Sequence, residues 1–353
     1  MLTVIILTFN SANSLAASLD SLTRQTVQPA EVIIVDDAST DGTVEIARAF
    51  QDRAVIPTRI LDNGSRVIAR GRNIGLRATN TPIVAFMDSD AWAEPEWIEA
   101  LLRTFEERPD VGIVGGEVLA DHASRFAHAI AVNDAVVRKL TASGELLCAT
   151  CNMGVHRERV DYALFDERWI YAEDVEYVSR VGARSGWTTS RDARVWHESR
   201  RGPAAYFRQM RRYGLWKVHY TVRTGQVRLV DYVPSIVLLL SLAGCVLSPL
   251  ALLAVPALSV AETLFVAVYR RPPVRLVPLM AAGWLVKNVG WGLGVLIGLG
   301  QVVLGRGPHR RRRPGLAEVS GRPGSGRTAP TRIGVSRPEG AVRPEDSRGR
   351  GPA

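Results

Sequence analysis

Three short runs of apolar residues mark the N-terminal part of the chain. They are Leu2–Leu7, Val32–Val35 and Ile83–Met87, and each run ends in polar residues. Apolar runs without polar alternation are typical of strands that are buried on both faces of a parallel sheet. The pattern therefore predicts three strands of one buried sheet, each of which opens into a polar loop.

The segment between the first two runs has a helical period instead. Leu15, Leu19 and Leu22 recur on one face of Ser14–Gln25, and Ser14 is a candidate cap. Strand, helix and strand form a βαβ unit, which predicts the α/β class with a Rossmann-like, mostly parallel sheet. Ligands bind such sheets beyond the carboxyl ends of the strands. No Gly-x-Gly-x-x-Gly follows the first run, so the sequence does not indicate a dinucleotide site.

Asp88-Ser89-Asp90 follows the third run directly. Two carboxylates at the end of a buried strand repel each other and need solvent, a partner or a cation. A hard divalent cation can bind both carboxylates, and phosphate oxygens can fill its remaining coordination positions. A loop with two solvated acids is the alternative interpretation of the same motif.

Two long apolar segments occupy the C-terminal part, Pro234–Tyr269 and Leu276–Leu304. Each is long enough to cross a hydrocarbon core of about 30 Å. The first is either one tilted helix or two short helices hinged at Pro249, so we expect two or three transmembrane helices. The glycines of the second segment suggest close helix packing. The basic residues of the connecting segment, 270–275, oppose a model with two crossings.

The net charge of +9 is concentrated at the C-terminal end. From Arg306 onward there are twelve arginines and four acids, so the rest of the chain is nearly neutral. This basic stretch, rich in Pro and Gly, is predicted to be disordered. Its position after an apolar segment indicates anionic lipid headgroups as the partner, and no nucleic acid is expected.

The N-terminal apolar run is short and lacks a basic flank, so it starts the fold and is not a signal peptide. We therefore expect the catalytic domain in the cytoplasm, attached to the inner membrane. Cys148 and Cys151 form one Cys-x-x-Cys without a second pair, which favours free thiols over a zinc site.

Six segments in order resemble the family 2 glycosyltransferases, which have a GT-A fold and use nucleotide-sugar donors. The matching segments are Val4–Asn10, Val35–Thr43, Gly71–Leu76, Asp88–Asp90, Asn152–Gly154 and Glu173–Asp174. Tyr206–Gly214 and Trp291–Gly294 further resemble the membrane-tethered bacterial subgroup of succinoglycan-type enzymes.

The resemblance implies a donor site and a metal site. The residues implied to bind the nucleotide sugar are Thr8, Asn10, Asp37, Arg72, Asn73, Asp88 and Ser89. Asp37 would accept a hydrogen bond from a uridine-like base, which favours a UDP-sugar. Asp90, with Asp88 and His197, would hold Mg²⁺ or Mn²⁺ against the departing diphosphate. Packed or surface roles remain open for His197 and for Arg72. Asp41 is interpreted as a turn and cap residue before the next helix. For Ser39, both a structural role and a role in donor binding remain open.

The resemblance also implies an inverting hexosyl transfer in which Asp174 is the general base beside Glu173. An acid pair in the first turn of a helix can instead serve only the helix dipole. The residues implied to bind the acceptor are Asn152, Met153, Gln209, Arg212 and Tyr213. Tyr213 stands where processive relatives have Trp in Gln-x-x-Arg-Trp, which favours addition of a single sugar.

The expected organisation has four parts: a GT-A catalytic domain at 1–215, an interfacial linker at 216–232, transmembrane helices at 233–304 and a disordered tail at 305–353. The expected function is transfer of a sugar to a lipid-linked or cell-envelope glycan acceptor in polysaccharide biosynthesis. A catalytically inactive membrane scaffold and a nucleotidyltransferase of related topology are the alternatives.

Overall fold

The computed structural model describes residues 1–120, 124–141, 148–170, 172–197 and 202–305. The expected tail at 305–353 lies outside these ranges except for Gly305. The strands are β1 (Leu2–Thr8), β2 (Glu31–Asp36), β3 (Thr58–Asp62), β4 (Ile83–Asp88), β5 (Ala91–Ala93), β6 (Ile113–Ala120), β7 (Asn152–His156) and β8 (Trp187–His197). The helices are α1 (Leu15–Thr23), α2 (Thr43–Arg53), α3 (Ile68–Ala78), α4 (Trp97–Glu107), α5 (Arg125–Thr141), α6 (Glu173–Ser185), α7 (Pro203–Thr224), α8 (Val233–Gly244), α9 (Ala254–Arg270) and α10 (Val277–Val303).

The strands form one mixed sheet in the order β3-β2-β1-β4-β7-β6-β8-β5. The first four of these are parallel, and Val4 of β1 lies between Val32 of β2 and Ala85 of β4. This arrangement confirms the predicted βαβ unit. β7 runs antiparallel to β4 and β6, and β5 runs antiparallel to β8, whereas β6 and β8 run in the same direction as the first four strands. Six of the eight described strands are therefore parallel, which confirms the predicted mostly parallel sheet. The carboxyl ends of β1, β2, β3 and β4 share one edge of the sheet.

Helices cover both faces of the parallel strands, which explains why these strands are apolar without alternation. Val4 and Ile6 pack with α1, α2 and α4 on one face. Ile5, between them, packs with α3 and α6 on the opposite face. Each residue of β1 therefore meets an apolar layer, and burial holds the strand in register.

The apolar C-terminal part contains two helical segments that are long and apolar enough to cross a membrane, Pro249–Arg270 and Val274–Val303. The segment predicted at Pro234–Tyr269 is divided into α8 and α9, and a 3-10 turn at Pro249–Leu253 separates them. The structure thus selects the hinged alternative. α7 runs without a break across the domain boundary expected at residue 215.

α7 and α10 are joined by close backbone contacts, and Gly214 and Gly294 make them possible. A Cβ atom on Gly294 would lie 2.1 Å from the carbonyl oxygen of Arg211, and one on Gly214 would lie 2.2 Å from that of Trp291. His219 Nε2 and Gln301 Oε1 are 3.0 Å apart further along the same pair. These contacts confirm the predicted close helix packing, although a Cβ atom on Gly300 would meet no neighbour within 4 Å.

We expect Gly294→Ala to destabilise the protein, because the added methyl group forces α7 away from α10. Overpacking of this kind costs about 1–3 kcal/mol. Gly300→Ala adds the same methyl group to the same helix without a contact and is the matched control. Thermal unfolding in detergent should show a lower midpoint for Gly294→Ala only. Equal midpoints for the two variants would contradict the α7–α10 contact described above.

Candidate active site

Asp88, Asp90 and His197 come together at the carboxyl edge of the sheet. Asp88 is the last residue of β4, and Asp90 immediately precedes β5. β5 turns back to pair with the end of β8, and Ala91 lies opposite His197. The strand pairing that follows the Asp-x-Asp motif therefore delivers the histidine from a position more than a hundred residues away in sequence.

The three side chains fit the ligand set of a divalent cation. Their ligand atoms lie within 4.8 Å of one another. His197 Nε2 is 3.2 Å from Asp90 Oδ1 and 3.6 Å from Asp88 Oδ2. All three are partly exposed, with Asp88 the most exposed at 39%. Two carboxylate oxygens and one imidazole nitrogen leave positions open toward the cleft, where oxygens of a substrate could complete the coordination.

The electrostatics of this cluster favour a cation. Burial lowers the pKa of His197, but hydrogen bonds to Asp88 and Asp90 and their charges outweigh burial and raise the pKa to about 10. A protonated imidazole beside two carboxylates takes the compensating role that a bound metal ion would have. Asp88 and Asp90 thus form a negatively charged site that a cation, either protonated His197 or a metal ion, would stabilise.

Two serines that the sequence analysis missed hold the Asp-x-Asp loop. Ser11 Oγ lies 2.8 Å from Ser89 Oγ, and Ser18 Oγ donates to the carbonyl oxygen of Ser89 at 2.9 Å. Ser18 lies on the buried face of α1 beside Leu15 and Leu19. A polar residue on an apolar helical face needs a buried partner, and this signal could have pointed to Ser18.

The residues expected to hold the nucleoside line the neighbouring part of the edge. Asn10 Oδ1 accepts a hydrogen bond from Thr40 N at 2.9 Å, and Asp37 Oδ1 accepts one from Arg66 N at 2.7 Å. Thr8 is buried, and its hydroxyl has no hydrogen-bond partner among the described residues. The Arg66 guanidinium lies 3.9 Å from the centre of the exposed Phe9 ring. Arg66 follows β3, a strand that the sequence analysis did not identify.

The loop after β2 supports this edge through its own hydrogen bonds. Ser39 donates from both N and Oγ to the carboxylate of Asp36, at 2.9 and 2.6 Å. Asp41 accepts hydrogen bonds from Thr43 at the start of α2 and from Ala12 N. The hydrogen bond from the Thr43 side chain lowers the pKa of Asp41. Asp41 thus acts as the predicted turn residue before α2, although Gly42 is the N-cap residue of this helix, and Ser39 has a structural partner in Asp36.

Arg72 and Glu173 form a buried ion pair between α3 and the first turn of α6. Both side chains are less than a tenth exposed, and Arg72 Nη1 donates to Glu173 Oε1. Burial lowers the pKa of Arg72, but the charges of Glu173, Asp174 and Asp88 raise it above its ordinary value. Arg72 therefore lies within electrostatic reach of both the Asp-x-Asp motif and the Glu-Asp pair, and it lies within α3 instead of at a helix start.

Asp174 is the next residue and is more accessible than Glu173. It lies in the first turn of α6, and its Oδ1 accepts a hydrogen bond from Val175 N at 2.8 Å. Ala172 before it has a left-handed backbone with φ 54°, which few residues other than glycine adopt. The bend at Ala172 and the buried Glu173 together fix the position of Asp174 at the start of the helix.

Three residues expected to contact substrate are enclosed in the protein. Asn73 exchanges hydrogen bonds with the backbone of Phe165, so it fixes the segment that leads to α6. Asn152 is fully buried and bonds Trp97, Glu117 and Ala193. Met153 is fully buried in the core. These positions do not present Asn73, Asn152 or Met153 to a substrate, and each side chain has a structural role.

The remaining expected acceptor residues lie on α7. Gln209 Nε2 donates to the hydroxyl group of Tyr213 at 3.1 Å, and the Tyr213 ring is about half exposed. Arg212 is exposed beside them. Cys148 and Cys151 are free thiols, as predicted. Burial raises the pKa of Cys148 to about 12, so this thiol is not a nucleophile at neutral pH.

Two family models match the chain. The model "Glycosyl transferase family 2" matches residues 3–158, and "Glycosyl transferase family group 2" matches residues 83–286, which is more than half of the chain. The first match contains the Asp-x-Asp motif, and the second contains this motif, His197 and α7.

Curated relatives match the N-terminal part. Validoxylamine A glucosyltransferase of Streptomyces hygroscopicus subsp. jinggangensis is 35% identical over 104 residues, 29% of this chain and 25% of the relative. Glucosyl-dolichyl phosphate glucuronosyltransferase of Haloferax volcanii is 34% identical over 112 residues, 32% of this chain and 36% of the relative. The chain thus spans only a quarter to about a third of the length of these relatives.

A solved structure matches most of the chain. The mannosyltransferase PcManGT of Pyrobaculum calidifontis, in complex with GDP-Man and Mn²⁺, aligns with a TM-score of 0.57 and 19% identity. The alignment covers 84% of this chain and 86% of PcManGT. This likeness confirms the predicted GT-A fold. With the two family matches and the Asp88–Asp90 motif at the carboxyl edge, it leads to one conclusion: the chain belongs to glycosyl transferase family 2.

Proposed function

We propose that the protein is an inverting, metal-dependent glycosyltransferase that moves a sugar from a nucleotide-sugar donor to a lipid-linked or cell-envelope glycan acceptor. The observation that carries this proposal is the position of Arg72. This buried arginine pairs with Glu173, the residue before the candidate base, and the charges of Asp174 and Asp88 both raise its pKa. The candidate cation site and the candidate base therefore lie near the same arginine.

The metal cluster would hold Mg²⁺ or Mn²⁺ through Asp88, Asp90 and His197. When bound, the cation supplies Lewis-acid stabilisation of the negative charge on a departing diphosphate. The similar mannosyltransferase PcManGT was solved in complex with GDP-Man and Mn²⁺. Asp37 offers an acceptor-only carboxylate at the nucleoside end, so we propose a UDP-sugar as the donor.

Asp174 is the proposed general base. A single displacement at the anomeric carbon needs one carboxylate that removes the proton of the attacking hydroxyl group. Asp174 is partly exposed, whereas Glu173 is buried against Arg72. We assign Glu173 and Arg72 to positioning Asp174, since neither side chain is open to substrate.

The acceptor side is proposed to lie along α7, where Gln209, Arg212 and the half-exposed ring of Tyr213 share one region of the helix. An aromatic ring with a hydroxyl group can stack on a sugar and also bond it. α7 packs against α10, one of the two segments apolar enough for a membrane. This proximity supports an acceptor that is attached to lipid, and we propose a location on the cytoplasmic face of the inner membrane.

We expect membranes that contain the protein to transfer sugar from a UDP-sugar to an organic-extractable product, and to release nucleoside diphosphate. The reaction should stop with a chelator and resume with Mn²⁺. An α-linked donor should yield a β-linked product by NMR, because a single displacement inverts the anomeric carbon. Release of pyrophosphate, or retention of configuration, would disprove this proposal.

Asp90→Asn should weaken Mn²⁺ binding by more than about tenfold, because it replaces a charged ligand with a neutral one. Electron paramagnetic resonance of free Mn²⁺ measures this loss without any turnover. Asp52→Asn, an exposed acid on α2, is the control and should bind Mn²⁺ like the parent protein. Unchanged binding in Asp90→Asn would remove Asp90 from the metal site.

Asp174→Asn should lower kcat by about 10²–10⁴-fold, the usual contribution of a general base. Binding of Mn²⁺ and of UDP should be retained, because Asp174 does not belong to the metal cluster. The matched control is Asp161→Asn, an exposed position whose φ of 52° suits asparagine. If Asp174→Asn keeps its kcat, the base is another group.

A further inference from the structure

α8, the turn that follows it and α9 expose an unusual amount of apolar surface. We call this unit, residues 233–270, the apolar hairpin. At its turn, Val246, Leu247 and Leu250 are 85%, 92% and 71% exposed. A contiguous apolar surface of this kind indicates an apolar partner.

The apolar hairpin folds back on itself before it could cross a membrane. Ser241 Oγ of α8 donates to the carbonyl oxygen of Ala251 at 2.6 Å, so the chain reverses between these two residues. α8 has 12 residues. At 1.5 Å per residue it is about 18 Å long, well short of a hydrocarbon core of about 30 Å. A chain that enters lipid through α8 therefore turns inside the core, and α9 returns it to the side of entry.

The backbone N–H groups of the turn have hydrogen-bond partners within the protein, so they do not need water. The N–H groups of Cys245, Val246, Leu247 and Ser248 donate to carbonyl oxygens of the last residues of α8. Beyond Pro249, which has no N–H group, Leu250 N donates to Ser248 Oγ and Ala251 N to the carbonyl oxygen of Ser248. Exposed backbone donors with internal partners are the condition for a chain inside hydrocarbon.

α10 has the length of a membrane span, but its neighbours are those of a helix at the membrane surface. α5 of the catalytic domain packs along its first half, where Asn133 Nδ2 donates to the carbonyl oxygen of Met280 at 3.1 Å. Lys287, near the middle of α10, lies 3.9 Å from Asp134 of α5. A transmembrane α10 would carry this charged pair into the bilayer core, where ionisable side chains are rare and costly.

The second half of α10 lies beside a basic helix. α7 contacts it from Phe207, next to Gly290, to Leu215, next to Gly298. Arg208, Arg211 and Arg212 are exposed on the same stretch of α7. Lipid around residues 290–298 of α10 would have to accommodate these arginines, which instead suit the headgroup layer.

Further basic residues lie between the apolar hairpin and α10. Arg270 is the last residue of α9, and residues 271–275 after it, which we call the basic loop, contain Arg271 and Arg275. We propose that residues 203–303 form a monotopic anchor: the apolar hairpin enters one leaflet of an anionic bilayer, and α7, α10 and the basic loop lie at its surface on the side of the catalytic domain. This inference goes beyond the transfer reaction and rests only on the membrane association proposed above.

The side of the basic loop tests the proposal. In a full-length protein with Cys148→Ala, Cys151→Ala and Cys245→Ala, single cysteines are introduced as Val274→Cys in the basic loop and Val55→Cys in the catalytic domain. Both positions are at least 85% exposed. A membrane-impermeant maleimide should label both from the same side of sealed vesicles. Leu247→Cys at the turn should react only after detergent is added.

Labelling of Val274→Cys from the side opposite to Val55→Cys would show a crossing and overturn the proposal. Labelling of Leu247→Cys from the opposite side would have the same meaning. None of these readouts needs sugar transfer, so a failure of the proposed reaction and a failure of the anchor are distinguishable.

Flotation with vesicles of phosphatidylglycerol and phosphatidylethanolamine gives a second measurement. Leu247→Asp should reduce the bound fraction several-fold, whereas Val55→Asp, equally exposed but in the catalytic domain, should leave it unchanged. If both variants float like the parent protein, the hairpin does not enter lipid. A parent protein that stays with the soluble fraction as an oligomer would show that a second copy, and not a bilayer, covers the apolar hairpin.

Discussion

The structure of the catalytic site depends on the compensation of negative charge at the carboxyl edge of the sheet. Asp88 and Asp90 lie at the end of β4 and just after it, and Glu173 and Asp174 begin α6. The charges of Asp88, Glu173 and Asp174 all raise the pKa of Arg72, and carboxylates near one another are destabilising unless positive charge lies between them. Arg72 supplies a fixed positive charge in the interior, and its ion pair with Glu173 joins α3 to α6. Among the described residues, His197 is the cation that lies within 4 Å of both Asp88 and Asp90, and these three side chains could also hold a mobile ion.

Arg72 is a permanent cation, whereas the metal ion proposed at Asp88 and Asp90 would be exchangeable. The two parts of the proposed site can therefore differ in rigidity. Removal of one partner from a buried ion pair costs about 3–5 kcal/mol, so Arg72 and Glu173 stay in place throughout a reaction. Asn73, the next residue of α3, fixes the backbone at Phe165 and adds to the same support. In the proposed reaction, the partly exposed cluster of Asp88, Asp90 and His197 would bind and release a cation with the nucleotide. A fixed base and a replaceable metal are what the proposed displacement of a diphosphate would need.

The sequence was sufficient for the parallel strands, the Asp-x-Asp site and the two apolar segments, because each is encoded by a local pattern. It was insufficient where a residue's role depends on distant partners. Asn152 and Met153 follow a family motif, yet they are buried by Trp97 of α4 and by the core. Arg66 was missed because β3 is only half buried, so its apolar pattern is weak. The antiparallel strand β7 depends on pairing with β4, which lies far from it in the sequence.

α7 connects the catalytic and apolar parts more tightly than a flexible linker could. α7 carries Gln209 and Tyr213 on its exposed side and Gly214 against α10. If α10 slid along α7 by one turn, the two proposed acceptor residues would shift by about 5 Å relative to α10. The carbonyl contacts at Gly214 and Gly294 leave no space for such sliding. The position of α10 relative to the membrane and the position of the proposed acceptor residues on α7 are therefore coupled. If the acceptor binds along α7 as proposed, this packing restricts it to molecules whose reactive group is held near the same surface.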